Sequence, residues 1–383
     1  METDIKRIGV NDRNIRIFEG QYNVSNGMSY NSYVIMDEKI AVFDTVETAF
    51  KDEWLENLRG VLNGKQPDYL IIQHMEPDHS ANISAFLEAY PDVKMVASKK
   101  SFLMMKNFFG KEFLNEQIVV EDGTFLSLGN HELLFFTAPM VHWPEVIVTY
   151  DKKEKVLFSA DGFGKFGTTD TDEDWLDEAR RYYFGIVGKY GVQVQTLLKK
   201  LSDLDIRAIY PLHGPILTEF ISHYLKCYDS WSKYEAETKG VLIAFTSVYG
   251  NTKQAVQHLA ERLKENGCEN VMIVDLATID MSTAIANAFR FDKIVLATTT
   301  YNGEIFPFMR EFIHGLMERN FQNRTVGFIE NGSWAPMATR VMKDLLEKSK
   351  NLQYLESSVK ILSAMTEENY AQIDALAKEL CKD

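Results

Sequence analysis

With 383 residues, 45% of them hydrophobic and 25% charged, the chain has the composition of a soluble globular protein and the length of two domains rather than one core. A formal net charge of -14 and a pI near 5.2 exclude a basic stripe able to neutralise nucleic-acid phosphates and disfavour an anionic membrane surface. Cys227, Cys268 and Cys381 are too few and too scattered for a cysteine-held iron–sulfur cluster and read as reduced thiols of a cytoplasmic protein; no apolar signal core opens the chain, and no run approaches the roughly 20 residues of a spanning helix.

Residues 15–46 read as β structure, with a hairpin turning at Asp37-Glu38, and residues 49–62 as a helix. The apolar run 69–72 is a strand that opens into Gln73-His74-Met75-Glu76-Pro77-Asp78-His79-Ser80. A helix is expected beyond it, with Ser80 near its N-cap. Four ligand-type side chains (His74, Glu76, Asp78 and His79) therefore sit in one strand-to-helix loop. A polar surface loop explains one or two such residues; a metal site explains all four.

Strands are expected at 93–97, 117–120, 133–137, 146–150, 155–159 and 206–210, with helices after residue 97, over most of 170–201 and at 218–239. Three of these strands run into further ligand types: His142, Asp161 and His213. If the strands share a sheet edge, all seven residues open on one side. Nitrogen and oxygen donors without thiolate suit two zincs or two irons, and Glu76 favours iron. Asp161 is the natural bridge, since each carboxylate oxygen can take one metal.

From residue 240 onward, strands at 241–245, 271–275, 293–298, 325–330 and 359–362 alternate with helices, the pattern of a doubly wound parallel sheet. The expected domains are residues 1–239 and 240–383.

The spacing of His74, Glu76, Asp78 and His79 resembles the His-x-His-x-Asp-His signature of metallo-β-lactamase-type αββα domains, with Glu76 replacing the second histidine. With a flavodoxin-like domain behind it, essentially the whole chain resembles the flavodiiron proteins (A-type flavoproteins). Tyr30-Asn31-Ser32-Tyr33, Phe43-Asp44-Thr45-Val46, His142-Trp143-Pro144, Phe158-Ser159-Ala160-Asp161 and Leu212-His213-Gly214-Pro215 fit the same family. The resemblance implies one iron on His74, Glu76 and His142, a second on Asp78, His79 and His213, and Asp161 bridging them. Two stretches depart from the family: Glu145-Val146, often Asp-Ser there, and the residues after Asp161.

In the second domain, Thr246-Ser247-Val248-Tyr249-Gly250-Asn251-Thr252 joins a strand to a helix. Hydroxyls, an amide and backbone N–H groups at a helix start form an anion site. With no lysine and no GxGxxG, the loop suits the monoester phosphate of FMN and resembles the flavodoxin phosphate loop. Thr299, Thr300, Tyr301 and Asn302, then Gly332, Ser333, Trp334 and Ala335, follow two further strands and are expected to line the same crevice. Tyr301 and Trp334 are candidates to cover the flavin ring. The family usually has proline at Thr299.

A flavin beside an iron pair implies an electron relay from an external donor through FMN to the metals. The resemblance supplies the rest: dioxygen reduced to water, nitric oxide reduced to nitrous oxide, or both. It also implies a rubredoxin-like donor and a head-to-tail homodimer, or a dimer of dimers, in which Trp143 borders the partner's flavin. The alternatives are a di-zinc hydrolase fused to a flavodoxin domain, against which Glu76 and the flavin loop argue, and an electron carrier with a vestigial metal domain.

Overall fold

The structure, a computed structural model, describes residues 3–172 and 174–382. It divides into two compact units, Met1–Asp229 and Ser230–Asp383. The expected boundary at 239/240 instead falls inside the strand Thr238–Phe245, and the helix expected to reach residue 239 ends at Ser232. The reason is local to the second unit. Tyr234 takes a left-handed φ of 58°, and the buried Arg324 guanidinium donates to its carbonyl at 2.7 Å. That holds the connecting stretch against the second unit.

The first unit is a two-sheet sandwich. One sheet orders Ile5–Arg7, Tyr33–Ile35, Ala41–Phe43, Tyr69–Ile72, Lys94–Ala97 and Gln117–Val119; the other orders Phe125–Ser127, Glu132–Thr137, Ile147–Asp151, Val156–Phe158 and Ala208–Tyr210. The period-two rule explains the layering. In the first sheet Val34, Val42, Leu70, Ile72 and Met95 pack in one cluster with Trp54, Leu58, Phe86 and Met105 of the helices. Their neighbours Tyr33, Ile35, Phe43, Ile71 and Val96 pack instead with Phe135, Ile147, Phe158 and Tyr210 of the second sheet. Phe43 stacks on Phe158 across the interior, 4.1 Å between ring centroids and 13° from parallel. The helix Gly191–Leu201 is tied to the second sheet by Lys200, whose Nζ donates to the Thr137 carbonyl at 2.7 Å. These are the αββα layers. Strands Ile5–Arg7 and Phe125–Ser127 fall outside the expected elements, because three residues are too few to display an alternation.

The second unit is the expected parallel sheet, in the order Val271–Asp275, Thr238–Phe245, Phe291–Tyr301, Thr325–Asn331, Gln353–Ile361, with the short strand Glu304–Ile305 added antiparallel. Its last strand starts six residues before the expected 359, since an edge strand exposes alternate residues and Gln353–Ser358 therefore read as polar.

Phe158→Ala removes one partner of the inter-sheet stack and leaves a cavity in the sandwich. The expected cost is about 3–5 kcal/mol, read as a lower denaturant midpoint of the first unit with that of the second unchanged.

Candidate functional site

Four loops at strand ends of the first unit bring seven side chains together. His74, Glu76, His142 and Asp161 place one donor atom each within 4.8 Å of one another, and Asp78, His79 and His213 do the same. The first group holds Asp161 together with the residues that the resemblance assigns to one iron, and the second holds those it assigns to the other. His142 Nε2 lies 3.0 Å from Glu76 Oε2 and 3.0 Å from Asp161 Oδ2, and His74 Nε2 lies 3.1 Å from Glu76 Oε2. His79 Nε2 lies 3.0 Å from His213 Nε2 and 3.3 Å from Asp161 Oδ1. Asp161 thus turns Oδ2 to one trio and Oδ1 to the other.

The surrounding motifs aim these rings. Glu145 Oε1 sits 2.8 Å from His74 Nδ1 and also accepts the Met75 amide at 2.8 Å, so His74 presents Nε2 to the cluster. His213 Nδ1 donates to the Ser29 carbonyl at 2.7 Å, which turns its Nε2 inward too. Asn31 Nδ2 donates to the carbonyls of Pro211 and Gly214, each at 2.8 Å, holding the turn that carries His213. Buried Asp44 accepts the Gln73 amide at 2.7 Å and the His74 amide at 3.2 Å and fixes the ligand loop; burial pushes its carboxyl up to about 6. Thr45 donates from its amide and its hydroxyl to the His79 carbonyl, at 2.7 and 2.9 Å.

Ser80 is not a cap. It ends a one-turn helix, Pro77–Ser80, and its hydroxyl turns back to the Met75 carbonyl at 2.8 Å; Asn82 precedes the next helix, Ile83–Ala89. Pro77 is the cause, since its fixed φ suits a first helical position. His131, a histidine outside the expected ligand set, is buried with Nδ1 3.1 Å from Asp151 Oδ2.

Among the described residues, both oxygens of Asp78 and Oδ1 of Asp161 are buried without a hydrogen-bond partner. Buried acceptors in that state call for a cation. Protons on the imidazoles partly answer the need. Burial alone would lower His142, but Asp161 and Glu76 raise it to about 9, and His74 and His213 rise for the same kind of reason. Asp161 is buried, yet the His74 charge, the hydrogen bond of His142 and the nearby His79 hold it well below the usual carboxylate range. The donor set fits a pair of metal ions.

Glu19 had no signal in the sequence, standing among polar residues of a hairpin. Its side chain is reachable from solvent, and its carboxyl, pushed up to about 7 by burial and by Glu76, hydrogen-bonds Glu76. Glu145 was visible only as a departure from the family. The Ser29 carbonyl is backbone and leaves no mark in a sequence.

In the second unit, the loops after three parallel strands enclose a cavity of about 490 Å³. Ser247, Val248, Tyr249, Asn251 and Thr252 line it from the first loop, and Gly332, Ser333 and Trp334 from the third; Thr299, Thr300 and Tyr301, expected beyond their strand, instead end the strand Phe291–Tyr301 and line the cavity together with Asn302. Thr246, Gly250 and Ala335 are not in its lining. Thr246 is buried with its hydroxyl 2.6 Å from that of Thr298, and Gly250 supplies the left-handed φ of 94° that starts the helix Asn251–Glu265. Gly303, Asn331 and Ser363 line the cavity as well. Asn331 and Ser363 brace each other through two 3.0 Å hydrogen bonds, a link between distant segments that no local motif displays. Thr252 Oγ1 is buried without a partner at the helix start, a donor suited to a phosphate oxygen.

Residues 28–214 match the family described as ODP family beta lactamase, and residues 242–361 match the family described as Flavodoxin domain. The chain is 30% identical over 364 residues to the flavo-diiron protein FprA2 of Clostridium acetobutylicum, covering 91% of this chain and 90% of that one. It is 28% identical over 353 residues to the nitric oxide reductase of Moorella thermoacetica, covering 90% and 88% respectively. Among solved structures, the rubredoxin oxygen:oxidoreductase of Desulfovibrio gigas superposes with a TM-score of 0.91 at 26% identity, covering 99% of this chain and 96% of that one.

Two outcomes are expected. Glu145→Gln removes the carboxylate that orients His74 and weakens retention of bound metal about 10–100-fold in chelator competition. For metal-free protein, the folded value of His142, about 9, lies above its ordinary 6.5. Its stabilisation is complete below 6.5 and lost as the pH rises through 9, so the unfolding temperature of the first unit should fall across that window.

Proposed function

The chain belongs to the flavodiiron protein family, and we propose that it draws electrons from a rubredoxin-like donor through FMN to a di-iron site and there reduces dioxygen to water, nitric oxide to nitrous oxide, or both. In this reading His74, Glu76 and His142 would hold one iron, Asp78, His79 and His213 would hold the other, and Asp161 would serve both. The cavity of the second unit would hold FMN, with the loop from Ser247 to Thr252 taking its phosphate. The observation that carries the reading is the split of Asp161 between two trios of ligand atoms.

Bound FMN supplies a carrier that passes electrons singly or in pairs, and bound iron supplies the redox metal that meets a diatomic gas. The protein's own groups do the remaining work. Glu145 and the Ser29 carbonyl hold protons on the Nδ1 atoms of His74 and His213, leaving each Nε2 lone pair for a cation. Either gas reduction consumes one proton per electron. Glu19 touches both solvent and Glu76, and with a value of about 7 its carboxyl can take a proton from neutral water and release it at the cluster. Tyr182, buried with its ring centroid 5.6 Å from that of His213, is kept protonated by burial and by Asp161, Glu76 and Asp78.

Tyr249 and Trp334 stand 94% and 82% exposed at the flavin cavity. Large aromatic rings left bare suit cover by another chain, which supports a head-to-tail dimer. Trp143, whose ring centroid is 5.3 Å from that of His74, would border the partner's flavin. Among the described residues no helix is long and apolar enough to cross a membrane. We place the protein in the cytoplasm.

The test is metal and flavin analysis with gas-consumption kinetics on anaerobically prepared protein. Two irons and one FMN per chain, with turnover of either gas under a chemically reduced donor, are expected. Two zincs without gas turnover would overturn the reading. His142→Ala is expected to depress gas reduction by more than the ~100-fold that loss of an outer partner costs, with FMN still fully reducible by the donor; wild-type turnover in that variant would remove His142 from the ligand set.

A further inference from the structure

Two cysteines far apart in the chain meet at one edge of the second unit. The helices Asn251–Glu265 and Glu367–Leu380 bury Leu259, Leu263, Ile373 and Ala377 in a single core cluster, against which Cys268 and Cys381 also pack. After the first helix, Gly267 turns the chain at φ 87°, and the Cys268 amide donates to the Leu263 carbonyl at 2.9 Å. Cys381 caps the second helix, and its Sγ donates to the same Leu263 carbonyl at 3.8 Å. The two residues thus share one acceptor, and the Cys268 Sγ donates to the nearby Asn270 carbonyl at 3.7 Å.

Lys293 completes the arrangement. Its Nζ donates to the Leu380 carbonyl at 2.7 Å and the Lys382 carbonyl at 3.1 Å, clamping the backbone on both sides of Cys381. Burial pushes both thiols up, while the Lys293 ammonium draws each down. The pair therefore rests as a dithiol near neutrality, with a cation at hand to stabilise a thiolate. Both side chains are half-buried, open to a small oxidant.

We propose that Cys268 and Cys381 form a reversible redox pair that closes to a disulfide under oxidising conditions, fastening the C-terminal helix to the end of Asn251–Glu265. In a reducing compartment such a bond is transient and responsive rather than permanent. The oxidant is a low-molecular-weight disulfide. One protein thiolate attacks it, its S–S bond breaks, one small thiolate leaves, and a mixed disulfide forms. The second cysteine attacks the protein sulfur of that mixed disulfide and expels the other small thiolate. Two protein thiols are oxidised, one small disulfide is reduced, and the two protein protons end on the released thiols. The closed loop contains the strands Phe291–Tyr301, Thr325–Asn331 and Gln353–Ile361, so the link restrains most of the unfolded unit, including two of the three cavity loops.

The test uses the holoprotein, treated with oxidised glutathione, alkylated under denaturing conditions, and measured by intact mass and by digestion without reduction. The expected species is two hydrogens lighter, alkylated only at Cys227, and yields a joined peptide pair containing Cys268 and Cys381. Its second unit unfolds at a higher temperature, and dithiothreitol reverses every change. Three alkylated cysteines, a persistent glutathione adduct on either residue, or a link through Cys227 or between chains would overturn the proposal. Cys268→Ser should carry a lasting glutathione adduct on Cys381 and lose the temperature rise; a temperature rise equal to wild type in that variant would also overturn it.

Discussion

Charge compensation out of bulk water is the constraint on which the first unit depends. Glu76, Asp78 and Asp161 converge in a place where carboxylate oxygens find too few hydrogen-bond donors. Four imidazoles face them. Protonated, they balance the carboxylates through short ion pairs; neutral, they offer lone pairs, and the acids then require metal. Both states need the same geometry, which explains why so much of the neighbouring structure serves to hold ring planes. Glu145, the Ser29 carbonyl, Asp44 and Asn31 each spend hydrogen bonds on positioning a ligand or its loop.

The sandwich makes that convergence possible. Alternation along each strand gives the first sheet one face for helices and one for the second sheet, so both sheets end beside each other at the same edge. Four strands from the two sheets deliver the ligands there, and no single segment could. The second unit solves a different problem by the same topological means. Its parallel strands all deliver loops to one edge, where hydroxyls and amides at a helix start suit an anion without a lysine.

The ligand loop was legible in the sequence because ligand-type residues are scarce and each followed an apolar run. His74, His79, His142 and His213 each stood at the end of an apolar run, while their division into trios came only from the family resemblance. What stayed hidden was whatever depended on backbone or on distant contacts. The Ser29 carbonyl has no sequence signature. Glu19 reaches Glu76 only because a hairpin folds across the cluster. Thr246 looked like its neighbours in the phosphate loop, yet its hydroxyl is used up by Thr298 beneath the cavity. The domain boundary moved because Arg324, just before the later strand Thr325–Asn331, captures Tyr234. Edge strands were blurred by their own exposure, and Pro77 rather than Ser80 sets where the helix after the ligand loop begins.

The central claim is that Asp161 stands between two metals, each completed by its own trio. Anomalous X-ray scattering measured on both sides of the iron absorption edge, from crystals of protein purified without added metal, tests it most directly. The account predicts two iron peaks per chain, one within bonding distance of His74, Glu76 and His142 and the other of Asp78, His79 and His213, with Asp161 touching both. A single peak, or two peaks that persist below the iron edge at the strength of zinc, would contradict it.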